Sequence, residues 1–231
     1  MKILVGSDFQ PINLNLYVNG LNDLSIYGDN IVAGGDNGTI IESKDGGDNF
    51  TNVERSTTNN LKQIALSSSK IFGVDEYGNI THGTSSSLQI KSIEFDAGAT
   101  PTSVSELAVN GNMLVATTQE NNLLRTDVST SDTEWGEETY SEGTPSINSV
   151  AIAQNGHSVA VGESGYIYQK PDVATTDEWS FVNSIGSFEM NDAQMVNNNT
   201  GYAVGNNGNI LKTTDGGLTW KVMAMPLTEN W

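Results

Sequence analysis

The 231-residue chain contains no cysteine, which excludes disulfides and thiolate chemistry and leaves its redox compartment open. Positive charge is scarce: 10 Lys and Arg stand against 28 Asp and Glu, for a net charge of −18. Phosphate backbones and anionic lipid surfaces are held by clustered Lys and Arg. The two arginines, Arg55 and Arg125, are far apart, so neither a nucleic-acid nor a membrane partner is expected. The first reading of the acidity is solubility. The opening MKILVGSDFQ lacks the apolar core of a signal peptide, and no apolar run approaches the roughly 20 residues of a membrane span. A soluble chain without a secretion signal is the expectation, under which the sequons at Asn37, Asn49 and Asn198 carry little weight. Long amphipathic heptads are missing too, which argues against a helical bundle.

What is present is a polar mixture of Asn, Ser, Thr and Gly with 36% apolar residues, a composition suited to many short strands joined by turns. The chain repeats itself. Anchored on Gly38, Gly78, Asn121, Gly165 and Gly208, the copies are spaced 40, 43, 44 and 43 residues apart. Two residues after each anchor stand Ile40, Ile80, Leu123, Ile167 and Ile210. Six before stand Val32, Phe72, Val115, Val159 and Tyr202; five before, always small, stand Ala33, Gly73, Ala116, Ala160 and Ala203. Twelve before stand Ile26, Leu66, Val109, Ala153 and Val196. Adjacent large and tiny residues in a strand point to opposite faces, so an obligatory small position implies a second sheet packed closely there. Four antiparallel strands per copy at this spacing predict an all-β chain, a single β-propeller over residues 1–231. The blades fall at about 23–54, 61–95, 102–140, 147–183 and 190–223. ILVGSDFQPI matches VAVGESGYI with one extra residue, and MPLTENW sits where a further inner strand would start. Six blades are therefore expected, one thin and shared by termini 1–20 and 224–231, with five blades as the alternative.

The turn before the fourth strand carries a motif. IESKDGGDNF in the first copy and LKTTDGGLTW in the fifth share Ser/Thr-x-Asp-x-Gly-x-Thr/Asn-aromatic. This pattern resembles the Asp-box, or BNR repeat, of sialidases, sortilin-type receptors, xyloglucanases and photosystem II assembly-factor propellers. GYAVGNNGNILKTTDGGLTW is most similar to the last. The resemblance assigns the motif to Ser43, Asp45, Gly47, Asn49 and Phe50, and to Thr213, Asp215, Gly217, Thr219 and Trp220. In such a turn the aspartate accepts backbone N–H groups, glycine takes positive φ and the aromatic wedges between blades. THGTSSSLQI has lost the aspartate, while RTDVSTSDTEW and QKPDVATTDEW carry two extra residues, which place Trp135 and Trp179 in the aromatic slot.

Enzyme readings fare poorly, and a non-enzyme is expected. A sialidase resembling its family needs three arginines for the substrate carboxylate, one more than the chain has, and the motif turn is not where that chemistry resides. Glycosidase chemistry needs two placed carboxylates, and 28 acids make some nearby pair inevitable. His82 and His157 have no partner in sequence. GGDNGT, DGGDN and NNNTGYAVGNNG invite a calcium reading but lack EF-hand spacing, and turn chemistry explains them without a cofactor. The insertion STSDTEWGEETYSEG offers a candidate partner surface of Asp132, Glu134, Trp135, Glu137, Glu138 and Tyr140, an acidic-aromatic edge suited to a basic protein.

The expected function is a structural or interaction module whose protein partner sits in a larger assembly. The first form is a bacteriophage particle component, placed in the virion, an association resting on composition. A cytoplasmic assembly-factor propeller is the second, although the resemblance implies a longer, exported family with an arginine patch that two arginines cannot reproduce. A lectin-like glycan binder is the third, weakened because tryptophans do not recur in every blade.

Overall fold

The computed structural model describes residues 19–53, 57–68, 70–84, 87–91, 94–95, 103–111, 113–127, 134–141, 146–171, 178–184 and 188–223. The closing blade expected from residues 1–20 and 224–231 falls outside them, apart from residues 19 and 20, as does Asp132. The chain divides into two compact units, Met1–Ile93 and Glu94–Trp231.

In the first unit, β1 (Leu21–Tyr27), β2 (Asn30–Gly35), β3 (Ile40–Ser43) and β4 (Thr51–Asn52) form one antiparallel sheet in chain order. A second such sheet holds β5 (Leu61–Leu66), β6 (Ile71–Asp75), β7 (Ile80–Thr84) and β8 (Ser87–Lys91). The second unit opens with the short β9 (Glu94–Phe95), then β10 (Val104–Asn110), β11 (Met113–Thr118), β12 (Leu123–Asp127) and β13 (Glu134–Tyr140). Next come β14 (Ile147–Ile152), β15 (Ser158–Gly162), β16 (Tyr166–Lys170) and β17 (Glu178–Ser184). The last sheet is β18 (Met190–Met195), β19 (Gly201–Gly205), β20 (Ile210–Thr213) and β21 (Lys221–Val222). Among the described residues there are five copies of one four-stranded antiparallel blade, and every described strand belongs to one except β9.

The small-residue column behaves as its sequence requires. Ala33, Ala116, Ala160 and Ala203 are buried. A Cβ on Gly73 would come within 3.2 Å of Leu61 Cδ2, so the close approach is to the first residue of the blade's own inner strand. The opposite face of the second strand packs on the next blade. Val32 and Ile40 cluster with Leu61, Ile64 and Leu66. Val115 and Leu123 cluster with Ile147, Val150 and Trp179. Val159, Val161 and Ile167 cluster with Met190, Ala193 and Trp220. Burying side chains of this size contributes about 1.5–3 kcal/mol each, which makes these inter-blade seams the main cohesive element of each unit.

Two features differ from simple strand alternation. Each inner strand slips register after its first pair, between Leu21 and Asp23, Leu61 and Gln63, Val104 and Glu106, Ile147 and Ser149, and Met190 and Asp192. Such a bulge tightens local twist and re-aims the next side chain. Asp23 thereby accepts the Ile64 N–H at 2.8 Å, and Ser149 Oγ accepts the Ala193 N–H at 3.2 Å, so the polar residue after the bulge ties one inner strand to the next. The second feature concerns the column read twelve residues before each anchor. Ile26, Leu66 and Val109 pair with Ile31, Ile71 and Leu114, but in the fourth and fifth blades the matching residues are Ile152 and Met195, not Ala153 and Val196. The turns 153–157 and 196–200 are longer there, which shifts the column by one.

Candidate functional site

The Ser43 and Thr213 turns are built alike. Ser43 Oγ donates to Asp45 Oδ1 at 2.8 Å and accepts the Gly47 N–H at 2.9 Å. Asp45 also accepts the Asn49 N–H at 2.9 Å and the Asn49 side-chain amide at 2.8 Å. Thr213 repeats this with Asp215 at 2.8 Å and the Gly217 N–H at 2.9 Å, while Asp215 takes the Thr219 N–H and hydroxyl. Gly47 and Gly217 sit at φ of 95° and 98°, a conformation that L side chains rarely adopt. The Asn49 amide, the Asn49 N–H and the Ser43 hydroxyl hold the Asp45 carboxyl down at about 2. For Asp215 burial pushes upward, and the Thr219 and Thr213 bonds outweigh it, leaving the carboxyl below its usual range. Asp75 behaves likewise: burial raises it, and the Asn79 and Asn59 amides lower it further than that. The aromatic residues diverge. Trp220 is buried against the fourth blade and donates its indole N–H to Gly217 O at 3.1 Å, whereas Phe50 is half-buried.

The Asp45 and Asp215 carboxylates accept hydrogen bonds from within their own turns, and Asp75 accepts one from Asn59 besides those of its turn. GGDNGT and the VGNNG part of NNNTGYAVGNNG form the hairpins after the second strand, where Asn37 and Asn207 take positive φ.

The acidic insertion is more surprising. Its strand β13 has three successive partners. Glu134 and Trp135 pair in parallel with β9, residues 136–138 pair antiparallel with β12, and Thr139 and Tyr140 pair in parallel with β17. The outer strands of the third and fourth blades are thereby joined into one nine-stranded sheet. Glu138 points inward at this join and is buried. Its two oxygens accept the Lys170 ammonium and the Trp179 indole N–H, both of which are buried as well. Tyr140 turns inward too. Its hydroxyl donates to Asn121 O at 2.5 Å, and its ring meets Tyr168 edge-on at 5.0 Å. Burial, with a smaller contribution from Tyr168, pushes the Tyr140 hydroxyl up.

Glu138 is therefore an interior group and Tyr140 is half-buried against Tyr168, so the two do not form an exposed acidic-aromatic edge. Glu138 and Tyr140 share one face of β13 by period 2, and the parallel pairing of Thr139 and Tyr140 with β17 brings that face to Lys170, Tyr168 and Trp179. Glu134, Trp135 and Glu137 lie on β13 by backbone alone. What sequence reasoning missed is Lys170. A lysine closing the largely apolar strand YIYQK, on the same face as Tyr166 and Tyr168, was the available signal, since a buried cation demands an acid partner.

Other carboxylates are placed outward. Asp36, Glu76, Glu120 and Glu163 follow the second strand of the first four blades, and Glu189 reaches the matching turn of the fifth through Asn206. The last three are exposed. His82 is buried and stacks on Phe72 at 6.1 Å, which suits a core residue. His157 lies half-buried beside Gly216, with burial lowering its affinity for a proton and a Gln169 bond partly offsetting this. Among the described residues no helix is long and apolar enough to cross a membrane.

The chain matches no protein-family model and no curated protein. Its likeness is to solved structures. A structure of YCF48 bound to D1 peptide aligns at a TM-score of 0.63 and 20% identity, over 94% of this chain and 73% of that one. YCF48 from Cyanidioschyzon merolae aligns at 0.51 and 13%, over 88% and 84%. Human WBSCR16 aligns at 0.65 and 10%, over 89% and 67%. At these identities the likeness carries the fold: an all-β, propeller-like architecture of four-stranded antiparallel blades.

Proposed function

We propose that the chain is a non-catalytic propeller that holds a protein partner within a larger assembly, in the manner of a cellular assembly factor. The observation that carries this reading is the alignment over 94% of the chain with a propeller captured on a peptide. The partner differs in chemistry from one read by an arginine patch. With a net charge of −18 and outward carboxylates at the second-strand turns, the chain suits a Lys- and Arg-rich segment. The Ser43 and Thr213 turns act as Asp-boxes in the structural sense: they lock the blade's last turn and leave recognition to other loops. The bacteriophage-particle reading rests on composition, and no feature of the fold favours it over this one.

The test is fluorescence anisotropy of the full chain with labelled peptides of equal length, one set Lys/Arg-rich and one Asp/Glu-rich, at low and high salt. Basic peptides are expected to bind at least tenfold more tightly, about 1.4 kcal/mol, and to weaken with salt. Equal or better binding of the acidic set, or binding of neither, defeats the reading. A glycan array read in parallel decides the lectin alternative.

A further inference from the structure

Two residues beyond the apolar Ile40, Ile80, Leu123, Ile167 and Ile210 stand Glu42, His82, Arg125, Gln169 and Lys212, on the same face of each third strand. The first copy alone puts an acid there. Ile40, the neighbour of Glu42 on that face, packs with Leu61 and Ile64 of the second blade, so the carboxylate belongs to an inter-blade seam. The Glu42 side chain is 10% exposed, whereas Lys44, its ion-pair partner at 3.2 Å, is 66% exposed. A pair with so exposed a cation contributes about 0–1 kcal/mol. Lys44 therefore offsets little of the cost of burying the Glu42 charge.

Beside the pair lies a cavity of about 180 Å³. Asn30, Glu42 and Lys44 line it from the first blade, and Ser67, Ser68 and Thr84 from the second. Leu66 and Ile71 add apolar surface. A cavity of roughly 150 Å³ admits a molecule the size of benzene, so a planar guanidinium has room here. We propose that this cavity takes an arginine side chain of the partner segment, its guanidinium on Glu42 and its methylene stem against Leu66 and Ile71. The assignment rests on the reading that the partner is basic. Ser67 Oγ donates its proton to Lys70 O at 3.2 Å, so to a ligand it can only accept. A guanidinium brings five donors and no acceptor, which matches a carboxylate ringed by hydroxyl and amide oxygens. It is also more weakly hydrated than an ammonium, which makes it the cheaper cation to bring to a nearly buried carboxylate. Lys44, held mostly in solvent, yields Glu42 to the incoming group.

Fluorescence anisotropy of the full chain with a labelled arginine-rich peptide, and with its lysine-for-arginine twin, tests the assignment. The arginine peptide is expected to bind at least about threefold more tightly, and Glu42→Gln should abolish that preference. Lys44→Ala removes the competing cation from an exposed position and should tighten the arginine peptide at least about twofold, a gain that a merely structural ion pair does not give. Glu178→Gln and Lys221→Ala make the same charge changes at other exposed positions and should move binding less than either. If Glu42→Gln loses the fold, Lys44→Ala decides alone. Binding of both peptides alike by the unaltered chain overturns the proposal. So does binding that Glu42→Gln and Lys44→Ala move no more than the two controls do, and in both cases the basic-partner reading stands. A chain that binds neither peptide loses that reading and this one with it.

Discussion

Lys170, Glu138 and Trp179 make the sharpest quantitative test, because all three are buried and each satisfies another. Removing one member of a buried ion pair leaves an uncompensated charge and costs about 3–5 kcal/mol, whereas replacing both by apolar groups is often neutral or stabilising. Lys170→Met leaves the Glu138 carboxylate with the Trp179 indole as its donor. Glu138→Leu is expected to be worse, since it strands both the ammonium and the indole N–H, and an orphaned buried donor adds about 1–3 kcal/mol. The double variant Lys170→Met with Glu138→Gln keeps an acceptor for the indole and carries no charge. It is expected to recover most of the loss, so the coupling energy should be large and favourable. Urea unfolding followed by tryptophan emission measures the wild type, Lys170→Met, Glu138→Gln and their double variant, the four corners of the cycle, with Glu138→Leu alongside, and at this chain length about 1 kcal/mol moves the thermal midpoint by about 2–4 °C. Single variants losing under about 1 kcal/mol, with no coupling, would mean that the pair is solvated. The inward placement of Glu138 would then fall.

The remaining expectations concern the turns and the seams. Thr213→Val removes the hydroxyl that accepts the buried Gly217 N–H and should cost about 1–3 kcal/mol in denaturant unfolding, with Thr213→Ser restoring it. Gly217→Ala should be at least as harmful, because the residue sits at φ 98° and its Cβ would lie 2.5 Å from Val159 Cγ1; a crystal structure would show the third-to-fourth-strand turn displaced. Ala160→Leu overpacks the small-residue column and should cost about 1–3 kcal/mol, visible as a lowered urea midpoint. The carboxyls of Asp45, Asp75 and Asp215 are all depressed in the folded chain. A depressed carboxyl contributes stability that is complete above its unfolded value and lost as pH falls through its folded one, so acid unfolding should steepen below about pH 4. NMR titration of the side-chain carboxyls should find Asp45 ionised down to about pH 2; an ordinary midpoint there would contradict the bonding to Asn49.

Most of the fold was legible because a propeller blade repeats its physical problem. A bulky residue beside a tiny one, in five copies, can only mean one face packed on side chains and the other on a close neighbour. The Asp45 and Asp215 turns were legible for a similar reason: their residue types match the donors and acceptors that the turn must satisfy. The inner-strand bulges left a trace that was overlooked. Asn22-Asp23, Asn148-Ser149 and Asn191-Asp192 place two polar residues together after an apolar one, which breaks period 2 where a bulge accommodates it.

The insertion misled because exposure is not encoded in composition. GEETY reads as a solvated acidic stretch, and its fate depends on a parallel pairing of two residues with β17, a contact between outer strands about 40 positions apart that no local pattern announces. That pairing selects which of the adjacent acids faces in. The alternation of the strand then brings Glu138, on its inner face, to a lysine and an indole. A slip of one residue would put Glu137 in the place of Glu138, but it would turn Tyr140 outward, away from Asn121 O and the Tyr168 ring. Register at this join is therefore read by Tyr140, whose hydroxyl bond and ring contact have no equivalent one residue away, while Glu138 supplies the charge that Lys170 requires.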